Sequence, residues 1–210
     1  MRHLYIIGAR GYGREVYNLF CKCEQALGDV KCIGFLDDKK DALNGFAGYP
    51  PVVSSVEAFA PQDNDVFICA LGDPKWIRHY TKIMEDKGGK FISLVSPNAF
   101  IGRNTTIGYG CIINDWASVS CDISIGNHVS IGSFSDLGHD SKVGNCCHLG
   151  SYTFMGGGSM VGDGVTAHPR VNILPHKSVG DNATLGAGSV VIRNVKANTT
   201  VFGVPAKKIN

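Results

Sequence analysis

The residues best suited to chemistry are His139 and Asp140. A neutral imidazole takes a proton from an amine or hydroxyl near pH 7, and an adjacent carboxylate orients it and raises its basicity. Eighteen residues on stands Gly156-Gly157-Gly158, where bare main chain offers N–H groups to a developing oxyanion. A second constellation lies near the N-terminus. Gly8, Gly11 and Gly13 follow the apolar run Leu4 to Ile7 and precede Val16-Tyr17-Asn18-Leu19-Phe20. A glycine turn opening a helix lets a phosphate approach free backbone N–H groups, although Gly-x-x-Gly-x-Gly is not the dinucleotide spacing. Asp37 and Asp38 close the run Cys32 to Leu36 and offer acceptors to a ribose or base; Gly72-Asp73 closes Val66 to Leu71.

Cys121 falls one eighteen-residue step before His139, which leaves a cysteine nucleophile as an alternative. His148 ends the next hexad and could approach His139 across a corner or a subunit boundary. His128, His168 and His176 read as solvated turn residues. No His, Cys, Asp or Glu spacing matches a metal cage.

The elements that must hold these groups are legible in two patterns. From Val95 to Val191 every sixth residue is apolar, without a slip of register, and the next residue is glycine in eleven of these seventeen hexads. That period fits neither helix nor simple strand; it predicts a parallel β-helix in which residues eighteen apart stack. The glycine is expected at the corner, where φ turns positive. The N-terminal part alternates strands with helices, including one from Pro74 to about Lys87, which predicts a small parallel α/β sheet. Ligands of such sheets bind beyond the carboxyl ends of the strands. The expected boundary divides a nucleotide-sugar-binding domain, 1–94, from a β-helix domain with a C-terminal tail, 95–210.

Composition narrows the classes. Twenty Lys plus Arg against eighteen Asp plus Glu give a formal charge of +2, no footprint for nucleic acid or an anionic membrane. No apolar run is long enough to span a bilayer. The start lacks the pattern of a signal peptide and the eight cysteines form no Cys-x-x-Cys pair, so reduced thiols in a cytoplasm are expected.

The hexads, Gly8-Ala9-Arg10-Gly11-Tyr12-Gly13, Phe35-Leu36-Asp37-Asp38, Gly138-His139-Asp140 and Phe202-Gly203-Val204-Pro205-Ala206-Lys207 together resemble the left-handed β-helix sugar acyltransferases. Within that class they are most similar to the bacillosamine and perosamine N-acetyltransferases and the sialic-acid O-acetyltransferases. The resemblance implies left-handed coils, a homotrimer, and acetyl-CoA as acyl donor in the groove between chains. It implies His139 as general base with Asp140 supporting it, where many relatives carry Glu. It implies His148 near the thioester, Gly157 and Ala187 along the pantetheine arm, and Lys207 at the CoA 3′-phosphate. For the nucleotide sugar it implies Arg10, Gly11 and Tyr12 under the phosphates, with Gly8 in the same turn. Asp37, Asp38 and Gly72 would meet the nucleoside. The bacillosamine enzymes have His where Tyr12 stands. O-acetylation of sialic acid or a polysaccharide precursor, and a non-enzymatic trimeric scaffold that binds sugar nucleotides, remain the other readings.

Overall fold

The computed structural model describes residues 1–209. The chain divides into two units, Met1–Leu94 and the remainder from Val95.

The first unit is a five-stranded parallel sheet with two helices. Its elements are β1 (Arg2–Ile7), α1 (Gly11–Leu27), β2 (Val30–Leu36), β3 (Val52–Ser54), β4 (Asp65–Cys69), α2 (Pro74–Asp86) and β5 (Lys90–Phe91). The strand order is β3-β2-β1-β4-β5. The central strands β1, β2 and β4 are apolar and largely buried, as a sheet covered on both faces requires. One face of α1 packs Val16, Leu19, Phe20 and Cys23 inward. Asp73 caps α2 by accepting from the Lys75 N–H at 2.9 Å, with Pro74 in the first turn, and Ile77 and Met84 are buried. Two differences from the sequence reading are small. The last strand divides into Lys90–Phe91 and Leu94–Val95, and β3 is an edge strand too short to leave a periodic signature.

The second unit is a parallel β-solenoid. Each coil of eighteen residues places one two-residue strand in each of three sheets, so Val119 pairs with Leu137 and Leu137 with Met155. The sixth-residue series points inward; Leu137, Leu149, Met155, Ile173 and Leu185 are fully buried. A two-residue strand cannot stand alone, so each coil is stable only between its neighbours.

One expectation is corrected. Positive φ falls two residues after the hexad glycine, on Asn104, Trp116, Asp122, His128, Phe134, Asp140 and their successors. The glycine serves close approach instead: a Cβ on Gly138 would stand 2.7 Å from the Gly157 nitrogen on the next coil. The left-handed slot carries bulky Trp116, Phe134 and Tyr152 at one corner, exposed, with the last two rings stacked 5.1 Å apart. Beyond Val191 the six-residue rhythm lapses. Thr200–Phe202 pairs back onto the last full coil, and Lys207–Lys208 runs antiparallel to it.

Candidate functional site

Two sites emerge, one in each unit. In the first unit a cavity of about 340 Å³ opens beyond the carboxyl ends of the parallel strands. It brings together Gly8, Arg10, Tyr12, Asp37, Asp38 and Gly72; Gly11 belongs to the same turn but not to the lining. Gly8 adopts φ +96°, which a side chain rarely tolerates. Gly13 is forced by contact, because a Cβ there would strike the Gly8 carbonyl. The pair brings the start of α1 down onto the end of β1, with its first N–H groups at the cavity edge. Asp37 fixes this arrangement. Its Oδ2 accepts from the Ala9 N–H and its Oδ1 from the Lys39 N–H, both at 2.9 Å. Both oxygens thus serve the backbone, and Asp37 shapes the turn as well as lining the cavity.

The sequence reading missed Trp76 and Tyr80, one helical turn apart on α2, which form another wall. The Tyr80 hydroxyl donates to Asp38 Oδ2 at 3.3 Å. Burial and the negative charges of Asp38 and Glu57 push the phenol above its usual range, so it stays a neutral donor. The spacing of two aromatics over four residues on a helix was the available signal, but a core stripe gives the same pattern.

In the second unit His139 and Asp140 occupy the turn after the strand Asp136–Leu137. His139 Nδ1 lies 2.6 Å from Asp140 Oδ2, and both side chains are about two-thirds exposed, 64% and 65%. This partner assigns the proton to Nδ1 and leaves Nε2 as the acceptor. Gly157 is the vertical neighbour: a Cβ on it would stand 2.7 Å from His139 Nε2. Gly158 N–H donates to the His139 carbonyl at 2.8 Å, whereas the Gly157 N–H donates to no group among the described residues. The corner therefore offers a base and a free donor on adjacent rungs.

Cys121 stands one rung below. Its thiol is held up in pKa first by donating to Asp122, then by burial, which works against a nucleophilic thiolate. Asp122 is pulled down by hydrogen bonds from Asn104 and Cys121. Cys147, which the sequence reading assigns to packing, is buried and its thiol is pushed up to about 12 by desolvation.

Other expected site residues stand elsewhere on the solenoid. His148 lies on the strand His148–Leu149, in a different sheet from the strands that flank His139. Its Nδ1 is 2.6 Å from Ser130 Oγ. Burial, then the nearby His168, holds it below its ordinary value, so the imidazole is neutral. Ala187 is exposed at another corner, and Lys207 is exposed on the last strand. Within one chain these three do not meet His139. Among the described residues there is no cluster of His, Cys, Asp or Glu fit to hold a metal ion, and no helix is long and apolar enough to cross a membrane.

Residues 3–83 match the PglD N-terminal domain, and residues 122–157 match the bacterial transferase hexapeptide, six repeats. A curated relative, UDP-N-acetylbacillosamine N-acetyltransferase of Bacillus subtilis (strain 168), is 26% identical over 117 residues. That alignment covers 54% of this chain and 51% of the relative, about half its length. Among solved structures, the perosamine N-acetyltransferase PerB of Caulobacter crescentus, in complex with CoA and GDP-perosamine, superposes with a TM-score of 0.90 at 22% identity. The match covers 100% of this chain and 98% of that one. The acetyltransferase domain of PglB from Neisseria gonorrhoeae FA1090, in complex with acetyl coenzyme A, gives 0.72 at 25% identity, covering 99% of each chain. The solenoid is accordingly a left-handed β-helix, against the usual hand of parallel crossovers. The chain thus joins a match to the PglD N-terminal domain to a match to the bacterial transferase hexapeptide, on a left-handed β-helix fold.

Proposed function

We propose that this protein is an acetyl-CoA-dependent N-acetyltransferase acting on the amino group of a nucleotide-linked sugar. The observation that carries the reading is the first corner of the solenoid: a carboxylate-oriented imidazole directly below a glycine whose N–H is unengaged. The cavity behind the glycine turn supports a nucleotide on the acceptor. The named activities of the bacillosamine and perosamine relatives, and the CoA or acetyl-CoA in the solved ones, support the donor and the sugar class.

The transfer is direct. The amine nitrogen attacks the thioester carbonyl carbon while His139 Nε2 accepts its proton. Asp140 stabilises the imidazolium that forms. The Gly157 N–H donates to the oxyanion of the tetrahedral intermediate. That intermediate collapses, the C–S bond breaks, and the imidazolium returns its proton to the departing sulfur, giving amide and CoA thiol.

The donor site is completed between chains of a homotrimer. There the neutral His148 of one chain approaches the thioester, Ala187 lines the pantetheine arm and Lys207 meets the 3′-phosphate. Arg10, Gly11 and Tyr12 hold the sugar-nucleotide phosphates. A cytoplasmic location fits acetyl-CoA as the donor.

The test is thiol release from acetyl-CoA with a panel of UDP-, GDP- and dTDP-linked amino sugars, beside free sialic acid as a hydroxyl acceptor. Release is expected with a nucleotide-linked amino sugar, and His139→Ala is expected to lose about 10²–10⁴ in turnover with CoA affinity retained. Release with sialic acid alone would replace the N-transfer reading by O-transfer. Wild-type turnover in the variant would remove His139 from the mechanism.

A further inference from the structure

One solenoid sheet turns a column of side chains outward, one per coil, and Ser130 and His148 are directly paired rungs of it. Ser130 is buried, and its Oγ lies 2.6 Å from His148 Nδ1. The hydroxyl makes no other hydrogen bond among the described residues.

That single contact decides where the ring hydrogen sits. A hydroxyl has one hydrogen to give, and an imidazole nitrogen either donates or accepts. With a hydrogen on Nδ1, the ring would donate to Ser130 Oγ and leave the serine hydrogen buried without an acceptor, at the full cost of its desolvation. With a bare Nδ1, the serine donates and both groups are satisfied. The ring is neutral, because burial first, and the nearby His168 second, hold His148 below its ordinary value. Its one hydrogen is then on Nε2.

His139 is the opposite case. Its Nδ1 faces a carboxylate, so its Nε2 is bare. Two imidazoles of one solenoid thus carry opposite tautomers, set by opposite partners. The division suits acyl transfer. The attacking amine has a proton to lose and needs an acceptor; the thioester carbonyl offers only lone pairs and needs a donor.

We propose that Ser130 is a positioning residue for the acyl donor: its hydroxyl fixes the Nε2–H tautomer and the orientation of His148, which donates to the thioester carbonyl oxygen. This rests on the acetyltransferase reading above and on its donor site between chains. No bond forms or breaks at His148. Its hydrogen bond strengthens as the carbonyl oxygen gains charge and relaxes when the C–S bond breaks. A neutral imidazole N–H polarises a carbonyl without giving up its proton.

The first test is 15N NMR of the full chain, labelled in its histidine rings, at about pH 7.5, where the ring is neutral. The His148 signals are those lost in His148→Gln. A bare and a protonated ring nitrogen resonate far apart, and His148 is expected to show a bare Nδ1 and a protonated Nε2. The second test compares Ser130→Val with Ser130→Thr. Both are β-branched and suit a strand, and they differ in a methyl against a hydroxyl. Ser130→Val should lower kcat for thiol release by about tenfold or more, and Ser130→Thr should stay within about threefold of the wild type. The Kd for CoA, which has no carbonyl on its sulfur, should move by less than about twofold in either. In a His148→Gln background, Ser130→Val should change kcat by less than about twofold, because the ring it positions is gone.

A protonated Nδ1 in the wild type, or wild-type kcat in Ser130→Val, would overturn this role and leave the acetyltransferase reading standing. So would a loss of CoA affinity as large as the loss of kcat, or an equal loss of kcat in both backgrounds. Absence of thiol release by the wild type with every acceptor would overturn the acetyltransferase reading itself, and this role with it.

Discussion

Two corners of one solenoid, built on the same hexad, do different work. At the corner after Thr106–Ile107 and its equivalents, the third slot holds Tyr109, Asn127, Asn145, Asp163 and Asp181. There each Asn or Asp oxygen accepts the backbone N–H of the coil before it: Asn127 from Tyr109, Asn145 from Asn127, Asp163 from Asn145, Asp181 from Asp163, at 2.6–3.1 Å. At the corner after Phe100–Ile101 and its equivalents, the same slot holds Arg103, Cys121, His139, Gly157 and Pro175. No side chain there closes a ladder. The imidazole turns to Asp140, and the N–H groups of His139 and Gly157 make no hydrogen bond among the described residues. One corner spends its polar side chains on main chain; the other leaves both available to a substrate. The proposed site uses a corner whose backbone N–H groups no side-chain ladder takes up.

The contrast can be broken at either corner. The largest effect is expected from Gly157→Ala. The new Cβ sits on the His139 ring, and displacing a base by about 1 Å costs about 10²-fold in turnover. The melting temperature, read beside the rate, should move far less than the rate does. Asp140→Asn is next: with the carboxylate that orients the imidazole gone, turnover in the thiol-release assay should fall by about tenfold or more. Asn145→Ala acts on the other corner. It removes the acceptor of the Asn127 N–H and should lower unfolding free energy by about 1 kcal/mol while turnover stays within about twofold. An Asn145 variant that lost activity without losing stability would erase the distinction.

The smallest effect concerns pH. His148 titrates below its ordinary value of 6.5 when folded, so below that pH the unfolded chain takes the proton more readily. Stability is full above pH 6.5 and declines as pH falls through it. His148→Gln should flatten that decline in denaturant titrations at pH 5 and 7.5.

Much of the solenoid was legible because the same constraint recurs on every coil: each core residue must stack on its equivalent, so Val119, Leu137 and Met155 repeat in register. The stacking of residue 139 under residue 157 follows from that period alone. The turn conformation did not follow, since the left-handed slot accepts Trp116, Phe134 and Tyr152 as well as Asn and Gly and leaves no compositional trace. Nor did the wall of Trp76 and Tyr80, whose helical spacing is that of a core stripe. Period tells which rung a residue occupies, not which face of a neighbouring chain it meets. His148, Ala187 and Lys207 therefore drew their expected roles from resemblance rather than from spacing.

The most direct test converts one corner into the other. His139→Asn puts a ladder residue in the slot, with an oxygen able to accept the Cys121 N–H as Asn145 accepts that of Asn127. Thermal unfolding and thiol release measured together on that variant are expected to show stability equal to or above the wild type and turnover lower by about 10²–10⁴. Retained turnover in a folded variant would contradict the account.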